Sequence, residues 1–209
     1  VTALAAYQTC PRRYWWTEVQ GLGTCEPATP GALSPRAWGT LCHRAMERAT
    51  APDEAASRAA AEGVLRDAPP GVDREALRQR LVDILEAFWA SPLGRRVAGA
   101  RTVLRELPFV LAVDATAVRG TMDLLLEDAE GQWEVADYKT SRPPAEDAPL
   151  AEAHILQLGL YAMAAARWLG RTPARSSIYF LGDHVYRARE VTPENLQRTA
   201  ESARKTLAC

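Results

Sequence analysis

Gly120-Thr121-Met122-Asp123-Leu124-Leu125-Leu126-Glu127, then Asp128-Ala129-Glu130-Gly131, then Gln132-Trp133-Glu134-Val135-Ala136-Asp137-Tyr138-Lys139: this stretch decides the fold. Two runs rich in Leu, Val and aromatics flank an acidic piece that ends in glycine, the composition of two strands joined by a hairpin turn. Side chains alternate along a strand, so Asp137 and Lys139 project from one face, about 6–7 Å apart along it, and Tyr138 from the other. Taken alone, that pair also reads as a weak surface ion pair. Asp123 sits inside an apolar run. A buried carboxylate needs a cation, a donor cluster or water; an exposed edge position is the alternative. Gly120 would let the backbone kink or approach something closely just before the acid. If the runs pair, Asp123 and Asp137 lie on neighbouring strands, and converging carboxylates repel unless a cation sits between them. Hard oxygens around a hydrated position suit Mg²⁺, and Mn²⁺ also accepts nitrogen.

Working outward, residues 101–113 form another strand-like run before the hairpin. Pro143 and Pro144 close the exit of the last strand, and a long helix is expected from about Leu150 to Leu169. Residues 175–181 and 184–190 read as two more strands joined at Gly182-Asp183, and Asn195–Leu207 as a closing helix. Upstream the pattern is helical: 3–18 with an interruption near Pro11, about Arg36 to Ala49, 53–68, and Asp73 to about Trp89. The breakers Gly21, Gly23, Pro27, Pro30, Gly31 and Pro35 mark a loop. The expected fold is α/β: a mixed central sheet flanked by helices, with an α-helical N-terminal half.

The 209 residues are 47% hydrophobic and 24% charged with a net charge of −1, which excludes a disordered chain and a strongly basic nucleic-acid coat. No run approaches the ~18 apolar residues of a membrane span, and no signal segment opens the chain, so a cytoplasmic location without membrane contact is expected. The chain starts at Val1, which reads as a fragment of something longer. Residues 167–189 hold Arg167, Arg171, Arg175, Arg187 and Arg189 against Asp183 alone, a surface where a polyanion could dock or where charges are merely solvated. Of 25 basic residues only Lys139 and Lys205 are Lys. Arg is a planar fork and Lys a compact point charge, so the Lys at 139 marks a site that needs the latter. Cys10, Cys25, Cys42 and Cys209 match no zinc spacing and read as free thiols.

Two further motifs carry polar residues where apolar ones would serve. Gly39-Thr40-Leu41-Cys42-His43 lies early in a helix, and His43 is a nitrogen ligand for a metal or a structural partner of Glu47. Gln157 and Tyr161 share a face of a helix that is apolar almost all round, where a Gln needs either sheet backbone or a cleft to satisfy it.

In order, the chain reads G-x-x-x-H, G-x-x-D, thirteen residues, D-Y-K-T, then Q-x-x-x-Y. This resembles the PD-(D/E)XK nuclease superfamily, and within it the RecB-type nuclease domain of the RecBCD and AddAB helicase–nucleases. Cys10-Pro11-Arg12-Arg13-Tyr14-Trp15-Trp16 is similar to the family's C-P-x-x-[FY] segment, and Glu106-Leu107-Pro108-Phe109 to the strand before its first catalytic Asp.

The resemblance implies a restriction-endonuclease-like core in one RecB-like domain over 1–209, with a helical part, 1–95, bearing the His motif and a catalytic sheet, 96–209. It implies a divalent-metal-dependent deoxyribonuclease, the nuclease module of a recombination-repair helicase–nuclease. The implied partners are DNA and a helicase, either as a domain of the same chain or on a separate subunit. His43, Asp123, Asp137 and the Tyr138 carbonyl correspond to metal ligands for Mg²⁺ or Mn²⁺, Asp123, Asp137 and Lys139 to catalytic residues, and Gln157 and Tyr161 to the helix motif that borders the site and contacts DNA. Some relatives hold a [4Fe–4S] cluster; Cys10 matches its first ligand, but three clustered C-terminal Cys are missing, so none is expected. The competing readings are a nuclease-like fold that only binds DNA or braces a partner, and a generic α/β domain.

Overall fold

The computed structural model describes residues 2–20 and 33–208. Most of the expected loop after Gly21, with Cys25, and the terminal Cys209 lie outside the described residues. Helices come first: α1 (Thr2–Thr9), α2 (Pro11–Tyr14) running into a π-helical turn (Trp15–Val19), α3 (Pro35–Arg48), α4 (Glu54–Leu65), α5 (Arg74–Ala90) and α6 (Pro92–Ala98). Local chemistry sets their starts. Ser34, Asp53, Asp73 and Ser91 each turn a side-chain oxygen onto the free N–H groups of the first turn, and Pro35 and Pro92 occupy positions where a missing N–H costs nothing. Cys10 caps α2 in the same way, its Sγ accepting from the Arg13 N–H at 3.4 Å.

Five strands follow in one sheet: β1 (Thr102–Val113), β2 (Thr116–Glu127), β3 (Trp133–Lys139), β4 (Arg175–Phe180) and β5 (Val185–Glu190). They lie in chain order, antiparallel except β3 and β4, which run parallel because helix α7 (Glu152–Leu169) crosses between them. The β2–β3 turn closes at Gly131, whose φ of +78° is open to glycine at no steric cost. Helix α8 (Pro193–Leu207) ends the described chain.

Both faces of the sheet are covered. Helices α3–α6 bury Met46, Leu81, Leu85 and Phe88 against Leu124, Leu126, Ala136 and Tyr138. On the other face α7 and α8, with Leu4 of α1, bury Leu156 and Leu160 against Leu125 and Val135. This explains three consecutive leucines, 124–126, with no exposure at all: a strand buried on both sides carries an apolar run rather than an alternation. Each contributes about 1.5–3 kcal/mol of burial. Helices α7 and α8 approach closely at Gly159, where a Cβ would lie 2.1 Å from the Thr199 hydroxyl. Of the arginines between 167 and 189, Arg171 and Arg175 are engaged by acids of the chain and Arg187 by the Glu146 carbonyl, so much of that positive surface is already neutralised or tied down.

Candidate active site

The site forms where the sheet comes apart. β2 and β3 pair for only four residues on each side, ending at Leu124 and Ala136. One step further the same register sets Asp123 against Asp137, but no ladder bond forms there. Instead the Asp123 Oδ2 accepts the Tyr138 N–H at 2.7 Å, in place of a backbone carbonyl of β2. A carboxylate thus stands in for the ladder, and the strands fork at it.

The β1–β2 hairpin is interrupted at the same level. Its register runs continuously except that Glu106 and Asp123, which face each other, are unpaired. Glu106 has a φ of +48°, a left-handed conformation that costs a non-glycine residue about 1 kcal/mol or more. The side-chain alternation slips here. Before the break Leu104 and Leu125 face α7; beyond it Leu107, Phe109, Met122 and Val118 do. Gly120, expected to let the backbone kink or approach something closely, pairs regularly with Phe109 and makes no kink in the ladder. The distortion lies at the two acids themselves.

His43 reaches this fork from α3. Its Nδ1 is 3.5 Å from Asp123 Oδ2 and 3.9 Å from Glu106 Oε1, and its ring packs edge-on against Tyr138 at 6.2 Å. Glu47, the alternative partner at helical spacing, lines the same cavity, but the acids facing the ring nitrogen are Glu106 and Asp123. Ligand atoms of His43, Glu106 and Asp123 lie within 4.8 Å of one another, close enough for one ion. In the sequence Glu106 reads only as part of a strand. Its ligand geometry depends on the backbone slip, for which the sequence carries no spacing signal.

Asp137 and Lys139 point to the α7 side, as the alternation requires, while Tyr138 is buried in the opposite core. Lys139 Nζ lies 2.7 Å from Asp137 Oδ2, which makes no linear hydrogen bond, and donates to Gln157 Oε1 at 2.9 Å. Gln157 Nε2 donates to the Tyr161 hydroxyl at 2.9 Å. The buried Gln is therefore satisfied by the Lys and the Tyr, not by sheet backbone.

The electrostatics are those of a site short of positive charge. Burial, then the neighbouring Asp137, pushes the Asp123 carboxyl up to about 7, against the opposing pull of His43, the Tyr138 N–H and Lys139. Burial alone would lower the His43 imidazole; the facing Glu106 and the charges of Asp123 and Asp137 outweigh that and raise it. A triad of oxygen and nitrogen donors, with Asp123 buried and His43 and Glu106 half-buried, fits a hard divalent ion.

Residues 1–208 match the family described as the PD-(D/E)XK nuclease superfamily. An ATP-dependent helicase/nuclease subunit from Desulforudis audaxviator is 32% identical over 163 residues, covering 68% of this chain and 13% of its own length. The protein of the same name from Pelotomaculum thermopropionicum is 36% identical over 110 residues, 46% of this chain and 9% of its own. That of Bacillus cereus is 26% identical over 181 residues, 73% and 14%. The chain thus spans only a small part of the curated relatives it matches. A solved structure, that of SSO0001, covers 97% of this chain and 87% of its own at a TM-score of 0.41 and 13% identity, too loose a likeness to add to the topology. The family match runs through the whole described sheet and every residue at its fork: the chain belongs to the PD-(D/E)XK nuclease superfamily.

Proposed function

We propose that this chain is the nuclease domain of a helicase–nuclease and hydrolyses phosphodiester bonds of DNA with Mg²⁺ or Mn²⁺. In this reading residues 1–209 act as one domain, whose helical part, 1–95, supplies His43 and whose sheet, 96–209, supplies the acids and the Lys. The observation that carries the reading is the fork itself, where His43, Glu106 and Asp123 cluster at a break in an otherwise buried sheet, with the Asp137–Lys139 pair on the neighbouring strand.

A divalent ion, when bound, lowers the pKa of water and neutralises a phosphate oxygen. His43, Glu106 and Asp123 would hold it, with Asp137 and the Tyr138 carbonyl as further oxygen donors. Lys139 has three N–H donors; Asp137 attracts one and Gln157 accepts another, which aims the third at a reacting water or phosphate oxygen. A positive charge fixed there stabilises negative charge as it develops on the phosphate. Tyr161 holds the Gln157 amide so that its oxygen, not its nitrogen, faces the ammonium. Gln157 and Tyr161 thereby border the DNA path. No covalent nucleophile is needed. Cys10 is engaged as a helix cap, and the reading includes no iron–sulfur cluster. No helix among the described residues is long and apolar enough to cross a membrane. The proposed setting is the cytoplasm, and the proposed partners are DNA and a helicase, in the same chain or on a separate subunit.

The test is cleavage of end-labelled DNA by the full chain. Cutting in Mg²⁺ or Mn²⁺ that EDTA abolishes is the expected result. Tight DNA binding with no cleavage, across both ions and a range of pH, would overturn the catalytic reading and leave a bracing module.

A further inference from the structure

Helix α3 carries more than His43 to the site. One of its faces is buried through Leu41, Cys42, Ala45 and Met46, which fixes its rotation. The opposite face presents Arg36, Thr40, His43 and Glu47 at helical spacing, and these residues with Gly39, Arg44 and Glu106 line one open cavity of about 460 Å³. The helix is seated close to the exit of β3: a Cβ at Gly39 would stand 3.5 Å from the Thr140 hydroxyl. The inner end of the cavity is therefore the ligand cluster, and its outer end is Arg36.

The cavity's charges are not equivalent. Glu106 and His43 face each other, and Arg44 is already paired with Asp67 at 2.7 Å. Arg36 is exposed and has no ion-pair partner among the described residues. A phosphodiester strand brought to a cluster of Glu106, Asp123 and Asp137 is repelled wherever a metal does not cover it. The flanking phosphates need a cation of their own, and Arg offers a planar fork suited to two phosphate oxygens.

We infer that Arg36 is a phosphate-anchoring residue that holds the DNA strand upstream or downstream of the bond to be cut. The inference rests on the nuclease reading and adds to it a defined contact. Arg36 lies seven positions before His43, about 10 Å along the helix axis. At about 3.4 Å of rise per nucleotide, this sets the contact two or three linkages from the scissile one. The ligand is the sugar–phosphate chain, so the contact is blind to sequence.

The experiment uses the full chain and oligonucleotides in which a single neutral methylphosphonate linkage is walked away from the cleavage point. Affinity is measured in Ca²⁺ and steady-state cleavage in Mg²⁺. In the wild type, a neutral linkage two or three positions away should weaken binding about tenfold, the scale of one charge-assisted contact. Arg36→Ala should show that loss already with unmodified DNA, in Kd and KM, and should be indifferent to the neutral linkage. Its salt dependence of binding should fall by about 0.7–0.9 in slope, one phosphate's worth. Arg58→Ala, which removes the same charge from the Glu54 pair on α4, controls for net charge and should keep the wild-type slope. Equal linkage costs in wild type and Arg36→Ala, or equal slopes in Arg36→Ala and Arg58→Ala, would overturn the assignment. A wild-type chain that cuts no DNA would overturn the nuclease reading instead, and the salt slopes would still decide whether Arg36 contacts phosphate.

Discussion

Strand β3 carries two buried acids, one at each end, and they live in opposite circumstances. Glu134, near its start, accepts from the Ser177 hydroxyl at 2.5 Å and the Tyr186 hydroxyl at 2.7 Å, and Arg96 Nε lies 2.9 Å away. Arg96 and Arg175 also hold Asp128, at 3.1 and 3.2 Å, so two acids face two guanidinium groups and the charges balance locally. Among the described residues Asp137, near its end, has Lys139 as its one ion-pair partner, and that ammonium also acts on Asp123. The lesson is that a buried carboxylate does not mark a functional site. A buried carboxylate whose countercharge the chain does not supply does, because that deficit is a place for an ion from outside.

The largest effects that break the comparison are on catalysis. Asp123→Ala and Asp137→Ala should reduce cleavage at least ~10³-fold, since both the ion's position and the reacting geometry depend on them. Thermal stability in the absence of metal should stay level or rise, because repulsion is relieved. Cleavage assays beside thermal melts check both halves. Near-normal rates in either variant would move the metal site elsewhere.

Glu134→Ala should do the reverse. It leaves Arg96 and Arg175 with Asp128 as their shared acid and takes the acceptor from two buried hydroxyls. A loss of about 3 kcal/mol in stability is expected, at the lower end for a broken buried pair because Asp128 remains. Cleavage per folded molecule should change little. A denaturant titration measures the first, and an active-site-normalised rate the second. A variant that is stable but inactive would mean that the two ends of β3 are coupled and the contrast is false.

Lys139 comes next. Lys139→Ala should keep metal and DNA binding yet lose at least ~10²-fold in rate, the scale for a group acting on developing charge. Lys139→Arg should recover little, because a guanidinium cannot fit between Asp137 Oδ2 and Gln157 Oε1 as a compact ammonium does. Rates of the two variants under saturating DNA decide this. If Arg restored activity, the requirement would be for charge alone.

Much of this is legible in the residues alone. The strands and helices follow from runs of Leu and Val, from Pro and Gly punctuation and from caps such as Ser34 and Asp73. The pairing of Asp123 with Asp137 follows from one hairpin turn at Asp128–Gly131. Lys139 stands out as a rarity among arginines. Glu106 does not, because its role comes from a left-handed backbone residue and a slip of alternation in β1, and neither has a residue-type signature when the residue is not glycine. The Glu134 network is invisible for a different reason: Arg96, Asp128 and Arg175 meet only after α6, the turn and β4 have packed, so no local spacing records it.

The last predicted effect is on stability as a function of pH, and it tests the charge balance at the fork. Asp123 is held at about 7 against an ordinary 3.8, so between those values the folded chain keeps a proton that the unfolded chain has lost. Stability must then fall as pH rises through that window. His43, raised above 6.5, adds in the same sense: its contribution is complete below 6.5 and is lost as pH rises through the folded value. Both groups therefore make the metal-free chain weaker toward neutral and mildly alkaline pH. A divalent ion replaces those protons, so the gain in Tm on adding Mn²⁺ should be small at pH 5 and larger at pH 8. Asp123→Ala should flatten the metal-free profile between about pH 4 and 7 and remove most of the Mn²⁺ gain. Thermal melts of wild type and Asp123→Ala, with and without Mn²⁺, read all of this. A wild-type Tm that rises from pH 5 to 8 relative to Asp123→Ala would mean that the chain itself balances the charge at the fork, and the contrast between the two ends of β3 would collapse.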